Sequence, residues 1–282
     1  MATLPDLTAL PPPDVVEPLD FEQLYAELRA DLVARHPDSA EVVALESEPL
    51  TKLMQAFAYR ELLYRQRVNQ AARSNLLAFA EKTNLDHKGA FYGLPRLHGE
   101  EDKRYRLRIQ LRIAALAASG TAEHYRLIAL GASLNVRDAA VHQPIPGRVG
   151  VVLWLHDTAA SDDTFALAEA ALNAPGARPV GVPVTVSLAV PRAVSVVAQL
   201  WLDPEAPSDL VAQIASAFAA AFDGHAQLGR DLARSWVTAR LHVAGVARVQ
   251  YPQPDAPPVN TTLAANEYPV LDTLQLTDEG AA

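Results

Sequence analysis

Up to about residue 131, apolar residues recur every three to four positions; beyond it the spacing shortens to a strand-like period. Phe21, Leu24, Leu28 and Leu32 trace one stripe of a helix over 20–35, with Asp20 placed to cap its N-terminus and His36-Pro37 to end it. A second helical pattern begins at Ser47, a good cap, or Glu48 and continues to Lys82. Leu50, Met54, Phe57, Tyr64 and Val68 share its stripe, which Glu61 interrupts, while Tyr59 and Leu63 lie on another side. About 34 residues of helix span roughly 50 Å, longer than a small domain is wide, so such a helix joins a bundle or bridges chains. A break at Ser74-Asn75 would shorten it. Residues 84–98, broken by Gly89, Gly93 and Pro95, read as a loop.

Residues 100–113 form a dense arginine helix around which the chain is organised. Tyr105, Ile109, Ile113 and Leu116 project to one side, and Leu107, Leu111, Ala114 and Ala118 to the other. Arg104, Arg108 and Arg112 line one seam between these stripes, and Arg106 lies on the opposite seam. Two opposed apolar stripes suit a helix held between two layers, and guanidinium groups bond carboxylates bidentately at the edges of such a layer. One reading is a solvated basic edge. The other is a packed joint between the helical part and the α/β part, its arginines paired with the acid-rich ends of the chain. Ala117-Ala118-Ser119-Gly120-Thr121 breaks the helix, and a short helix then runs to about Gly131.

The period then changes. Strands are expected over 134–143 and 148–156 around a Pro144-Ile145-Pro146-Gly147 turn, and the near-continuous apolar run 149–155 suits a strand covered on both faces. A helix over 162–173, a turn at 173–176 and a strand over 182–190 complete a β-β-α-β set. A strand over 193–202 leads to a helix capped by Ser208, with Leu210, Ile214, Phe218 and Phe222 on its core face and Asp223-Gly224 to stop it. A helix over 231–243 and a strand over 246–251 close a β-α-α-β set. Pro252, Pro254, Pro257, Pro258 and Pro269 mark the remainder as an irregular acidic tail. The fold class is α+β. An extended, proline-rich acidic arm (1–20) precedes a helical region with a long bundle helix (21–131). Two small α/β domains (132–190 and 191–252) and the tail (253–282) come after it.

Charge sharpens this division. Residues 1–50 carry 2 basic and 11 acidic side chains, 51–150 carry 16 and 8, and 151–282 carry 6 and 14. The net charge of −9 therefore hides a basic middle between acidic ends, a layout suited to internal pairing or to subunits that meet head to tail. Arginine supplies 20 of the 24 basic residues, at helical spacing among apolar ones and without a lysine- or glycine-rich arm, so nucleic-acid binding is the weaker alternative. No cysteine is present, which excludes disulfides and thiolate chemistry. The first residues lack the pattern of a signal peptide, and no apolar run approaches the roughly 20 residues needed to span a bilayer. The chain reads as soluble when made.

Candidate chemistry is sparse. Phosphate-binding glycine loops, the G-x-S-x-G elbow and H-E-x-x-H are missing, and no two of the eight histidines stand three or four apart. His156, Asp162 and Asp163 read as strand-end and helix-cap residues rather than metal ligands. No catalytic residue, metal or cofactor is assigned. The residues expected to carry function are interaction residues: Arg104, Tyr105, Arg106, Arg108 and Arg112 on the arginine helix, and Phe57, Tyr64 and Val68 on the long helix. An adaptor protein, a nucleic-acid binder using the basic middle, and an enzyme with an unrecognised site are the alternatives.

Across residues 75–157 the sequence resembles the baseplate J-like family, the baseplate wedge proteins of contractile phage tails and R-type pyocins. Leu85-Asp86, Arg104-Tyr105-Arg106-Leu107-Arg108-Ile109, Ser119-Gly120-Thr121 with Tyr125, Val136-Arg137-Asp138 and Pro146-Gly147-Arg148-Val149 carry the likeness in order. The resemblance implies a structural protein made in the bacterial cytoplasm and incorporated into a particle. It implies two copies joined to a smaller tail protein I-like partner in each wedge, with six wedges ringing a hub. N-terminal helices would enter the wedge bundle, and C-terminal domains would link wedges. Sheath-initiator and hub proteins are the further partners it implies; nucleic acid and, in the resting assembly, membrane are not.

Overall fold

The computed structural model describes residues 4–7, 10, 11, 13, 16–116 and 120–281. The protein is mixed α+β and falls into two compact units, residues 1–110 and 111–282.

In the first unit, Asp20 caps α1 (Phe21–Arg35), its carboxylate accepting from the backbone N–H of Glu22 and Gln23. Two short 3-10 turns, Pro37–Ser39 and Val42–Ala44, lead to α2 (Pro49–Ser74). Glu48, not Ser47, occupies the N-cap. The helix ends at the Ser74-Asn75 break and does not reach Lys82; its 26 residues span about 39 Å. Helix α1 packs along α2, where Thr51, Met54 and Ala58 are buried. Met54 thus leaves the stripe the sequence assigned it, and Phe57, Tyr64 and Val68 stand exposed on a separate face.

The expected loop over 84–98 is in part a helix, α3 (Lys82–Phe91). The glycine that suggested a loop is a packing requirement. A Cβ at Gly89 would lie 1.7 Å from Tyr105 Oη and 2.8 Å from the Leu94 carbonyl oxygen, so the helix approaches Tyr105 only without a side chain there. Ala80, Leu85, Tyr105 and Ile109 are fully buried together, with Leu77, Tyr92 and Leu94 around them. Tyr105 and Ile109 come from α4 (Asp102–Ala114), the arginine helix. The expected break at Ala117-Ala118-Ser119 lies outside the described residues.

In the second unit, α5 (Ala122–Ala132) is capped by the Thr121 hydroxyl. β1 (Val136–His142) pairs antiparallel with β2 (Val149–Leu155), and α6 (Ser161–Asn173) crosses over to β3 (Val184–Leu188), parallel to β2. β2 is buried at every residue after Val149, as its apolar run requires. The chain then changes sheets at one residue. Ala189 N–H donates to the Leu153 carbonyl in the first sheet, and Val190 N–H to the Asn266 carbonyl beside the second.

β4 (Val190–Leu202) is the central strand of that second, three-stranded sheet. Its alternating Val194, Val196, Ala198, Leu200 and Leu202 pack under α7 (Leu210–His225) and α8 (Arg234–Leu241). Asp209, not Ser208, stands at the N-cap of α7, and the helix continues through Asp223-Gly224 to His225. α8 begins later than expected because Leu232–Ala233 (β5) forms a short ladder with Asn260–Thr261 (β7).

β6 (Val246–Gln250) borders β4 on one side, and the supposed irregular tail borders it on the other. β8 (Glu267–Ala281) runs parallel to β4 for nearly its whole length. A register shift opposite Val194 and Ser195 places both Leu271 and Leu274 toward the core, followed by Leu276. This three-then-two spacing breaks the alternation that would have revealed a strand. Pro269 is tolerated because β8 is an edge strand. The second set is therefore not β-α-α-β but a sheet completed by its C-terminal strand.

Gly89→Ala is expected to lower stability by about 1–3 kcal/mol in urea unfolding, because neither the bonded Tyr105 ring nor the Leu94 backbone can yield cheaply. The His225 ring stacks on Trp236 at 4.0 Å, and burial, then Arg230 and Arg240, push its pKa below the ordinary value. A depressed histidine favours its neutral form, so this stability is present above pH about 6.5 and lost as pH falls through the folded value. His225→Gln is expected to flatten part of the loss of unfolding midpoint between pH 7 and 5.

Candidate interaction site

The turn before α4 places one carboxylate where solvent cannot reach it. Gly99, at φ +78°, reverses the chain, and the Glu100 side chain is fully buried. Its Oε2 accepts from Arg108 Nη1 at 2.7 Å and from the Leu97 backbone N–H at 3.0 Å; its Oε1 lies 3.5 Å from Arg104 Nε. Arg104 and Arg108 stand one turn apart on α4, and Glu100, in the turn that precedes the helix, approaches both. Arg108 is itself only 4 % exposed. A carboxylate and a guanidinium withdrawn from water together are tolerable, whereas either alone is not.

Arg96 completes a second layer. It binds Asp86 at 2.6 Å, Asp102 at 2.7 Å and the Glu100 carbonyl at 2.8 Å, and its guanidinium stacks on the Tyr105 ring at 4.5 Å. Burial alone would lower the Arg96 pKa, but the bonds to Asp86 and Asp102 outweigh it and the net shift is upward. Asp102 moves the other way: the Lys82 backbone N–H and Arg96 hold its carboxyl below the usual range, against burial. Burial, with Asp86, raises Tyr105, which donates to the Leu94 carbonyl at 2.7 Å.

Arg106, on the opposite seam, donates to the carbonyls of Leu77 and Ala80 at 2.9 and 2.7 Å, just beyond the end of α2. Lys88 Nζ donates to the Asn75 carbonyl at that same end. Helix α4 therefore ties together the end of α2 and the start of α3. The partners found for Arg106 and Arg108 are nearby carbonyls and Glu100, not carboxylates of the acidic ends. Arg112 is half-buried near the end of α4. Sequence reasoning gave no role to Glu100, Arg96, Asp86 or Asp102; the Glu-x3-Arg-x3-Arg spacing was the signal available for the first.

Phe57, Tyr64 and Val68 are 60, 71 and 61 % exposed and share their face of α2 with Leu53 at 54 %. Next to the arm, Asn69 Oδ1 accepts from the Glu17 backbone N–H at 3.1 Å, its Nδ2 donates to the Glu17 carbonyl at 2.8 Å, and Arg65 pairs with the Glu17 carboxylate at 3.1 Å. Among the described residues, no group of acids and histidines is arranged to hold a metal, and no helix is long and apolar enough to cross a membrane.

Ion pairs and arginine–carbonyl bonds hold α3, α4 and the end of α2 together, and α2 carries an exposed apolar row. Residues 46–102, which hold α2, α3 and the Arg96–Glu100 turn, match the baseplate J-like N-terminal domain. The chain is also 39 % identical to baseplate protein J of Escherichia phage P2, over 94 % of its own length and 97 % of that protein's. It belongs to the baseplate J family and is a structural component of a phage baseplate, not an enzyme.

Glu100→Ala should cost roughly 3–5 kcal/mol, since it strands the buried Arg108, whereas replacing the solvent-exposed Arg65 should change stability far less. Urea unfolding of the purified variants compares them directly.

Proposed function

We propose that the chain is a wedge component of a contractile-tail baseplate. A second copy of itself and a tail protein I-like partner join it in each wedge, and six wedges ring the central hub. In this reading α2 enters a helical bundle with at least one other chain. The two α/β domains link neighbouring wedges, and sheath-initiator and hub proteins contact the ring.

The observation that carries the reading is the row Leu53, Phe57, Tyr64 and Val68, four large apolar side chains more than half exposed on one face of the longest helix. A stripe at this spacing is what a bundle helix offers a partner. Thr51, Met54 and Ala58, the buried face of α2, lie roughly 100° around the helix from this row, so the row is separate from that packing. Internal use of Arg96, Arg106 and Arg108 supports assembly over nucleic-acid binding, because these guanidinium groups are not offered to phosphates.

Phe57→Asp and Val68→Asp should leave the unfolding midpoint of the isolated chain within about 0.5 kcal/mol of wild type, as expected for exposed sites. The same changes should prevent incorporation into particles in a complementation assay read by electron microscopy. Normal particles from both variants would refute the bundle role of α2.

A further inference from the structure

The second unit contains a hollow of about 390 Å³ at the turn end of the β1–β2 hairpin, bordered by Pro179 and Val182 of the segment that leads into β3. Val141, Val149 and Val182 give it apolar walls, and Tyr125 lies at its floor. Tyr125 is 1 % exposed, yet its hydroxyl has no hydrogen-bond partner among the described residues. A buried phenol left without a partner costs about 1–3 kcal/mol, so an unused donor facing a hollow needs an explanation.

The surroundings say what kind of partner would supply it. Arg148, His142 and Gln143 line the same hollow, and no acidic residue does. Arg178 is close enough to act on the Tyr125 hydroxyl, although burial dominates and keeps its pKa above the ordinary value, so it remains a donor. These groups form a donor-rich, cationic concavity within a chain of net charge −9.

Space for a ligand is secured by backbone rather than by chance. Gly120 adopts φ +87°, and a Cβ there would meet Pro179 Cγ at 2.8 Å and stand 3.9 Å from Tyr125 Oη, filling the approach to the hydroxyl. His142 lies flat across Gly150, where a Cβ would come within 2.5 Å of the ring. On the turn and loop that border the hollow, Ile145 and Val180 are 52 and 104 % exposed. Exposed aliphatic residues beside a cationic hollow fit a chain that continues past it, not an isolated small anion.

We propose that this hollow is a docking site for an extended acidic segment of another protein chain, one of whose carboxylates enters to accept from Tyr125 Oη and pair with Arg148 while its flanking apolar residues lie on Ile145 and Val180. It is independent of the α2 stripe and of the wedge reading.

The test uses the full chain and three probes: acetyl-Val-Glu-Val-amide, its glutamine counterpart, and acetate. Titrations are followed through the Gly120 and Gly147 amide signals by NMR. The glutamyl peptide should bind saturably, and the glutamine peptide and acetate at least tenfold more weakly. Tyr125→Phe and Arg148→Gln should each weaken the glutamyl peptide about tenfold or more. Tyr125→Phe should leave the melting temperature unchanged or raise it, because it removes a hydroxyl that the free protein does not satisfy. No saturable shift at millimolar peptide, equal binding of the glutamine peptide, acetate binding as tight as the peptide, or a melting temperature lowered by Tyr125→Phe would each overturn the proposal.

Discussion

The helical unit depends on a buried ion pair. Glu100 and Arg108 are both out of water, and neither is stable there without the other. Their pairing fixes the turn at Gly99 relative to the second turn of α4. With that turn fixed, Arg96 reaches Asp86 and Asp102 at once and lays its guanidinium on Tyr105. Tyr105 then sits in the notch that Gly89 leaves in α3. Hydrophobic burial supplies the core energy here, but it is non-directional. The ion pair and arginines that each bond more than one acceptor add direction, which holds α3, α4 and the end of α2 in a single arrangement.

The α/β unit is organised differently. Its two sheets are adjacent because one backbone residue, Ala189, stands between hydrogen bonds to each. Arg137 reinforces this: it stacks on Trp154 at 4.2 Å while donating to the Asp223 carboxylate and carbonyl at the end of α7. Trp154 in turn stacks on Tyr268 of β8. Cation–π and aromatic contacts thus bridge the two three-stranded sheets.

Much of this was legible in the sequence, for physical reasons. Amphipathic periods gave α1, α5, α6 and α7, and the uninterrupted run at 149–155 gave β2, because both patterns reflect burial directly. The failures came where a second constraint overrode the pattern. Gly89 is a helix residue because of a tyrosine sixteen positions later, a contact no local window contains. β8 was hidden by prolines that belong to the approach and by the register shift beside Asp272. The arginine helix was located correctly, but a partner for Arg108 was sought in the acid-rich ends, whereas it is Glu100, eight residues earlier in the chain. Tyr125 stood out only as part of the family likeness; that its hydroxyl is unsatisfied is a three-dimensional fact.

The pairing of β4 with β8 governs how the protein comes to be folded. β4 is the middle strand of its sheet, yet the strand that lies parallel to it from Val190 and Glu267 onward is separated from it in sequence by α7, α8, β5, β6 and β7. During synthesis β4 must therefore wait with one hydrogen-bonding edge bare while that intervening chain is made. Contacts between residues so far apart in sequence close slowly, and a bare apolar edge is a template for the wrong strand. In a cell filling with many copies of the same chain, that interval is when misassembly competes with folding, and the length of β8 makes the closing step strongly favourable once its partner arrives.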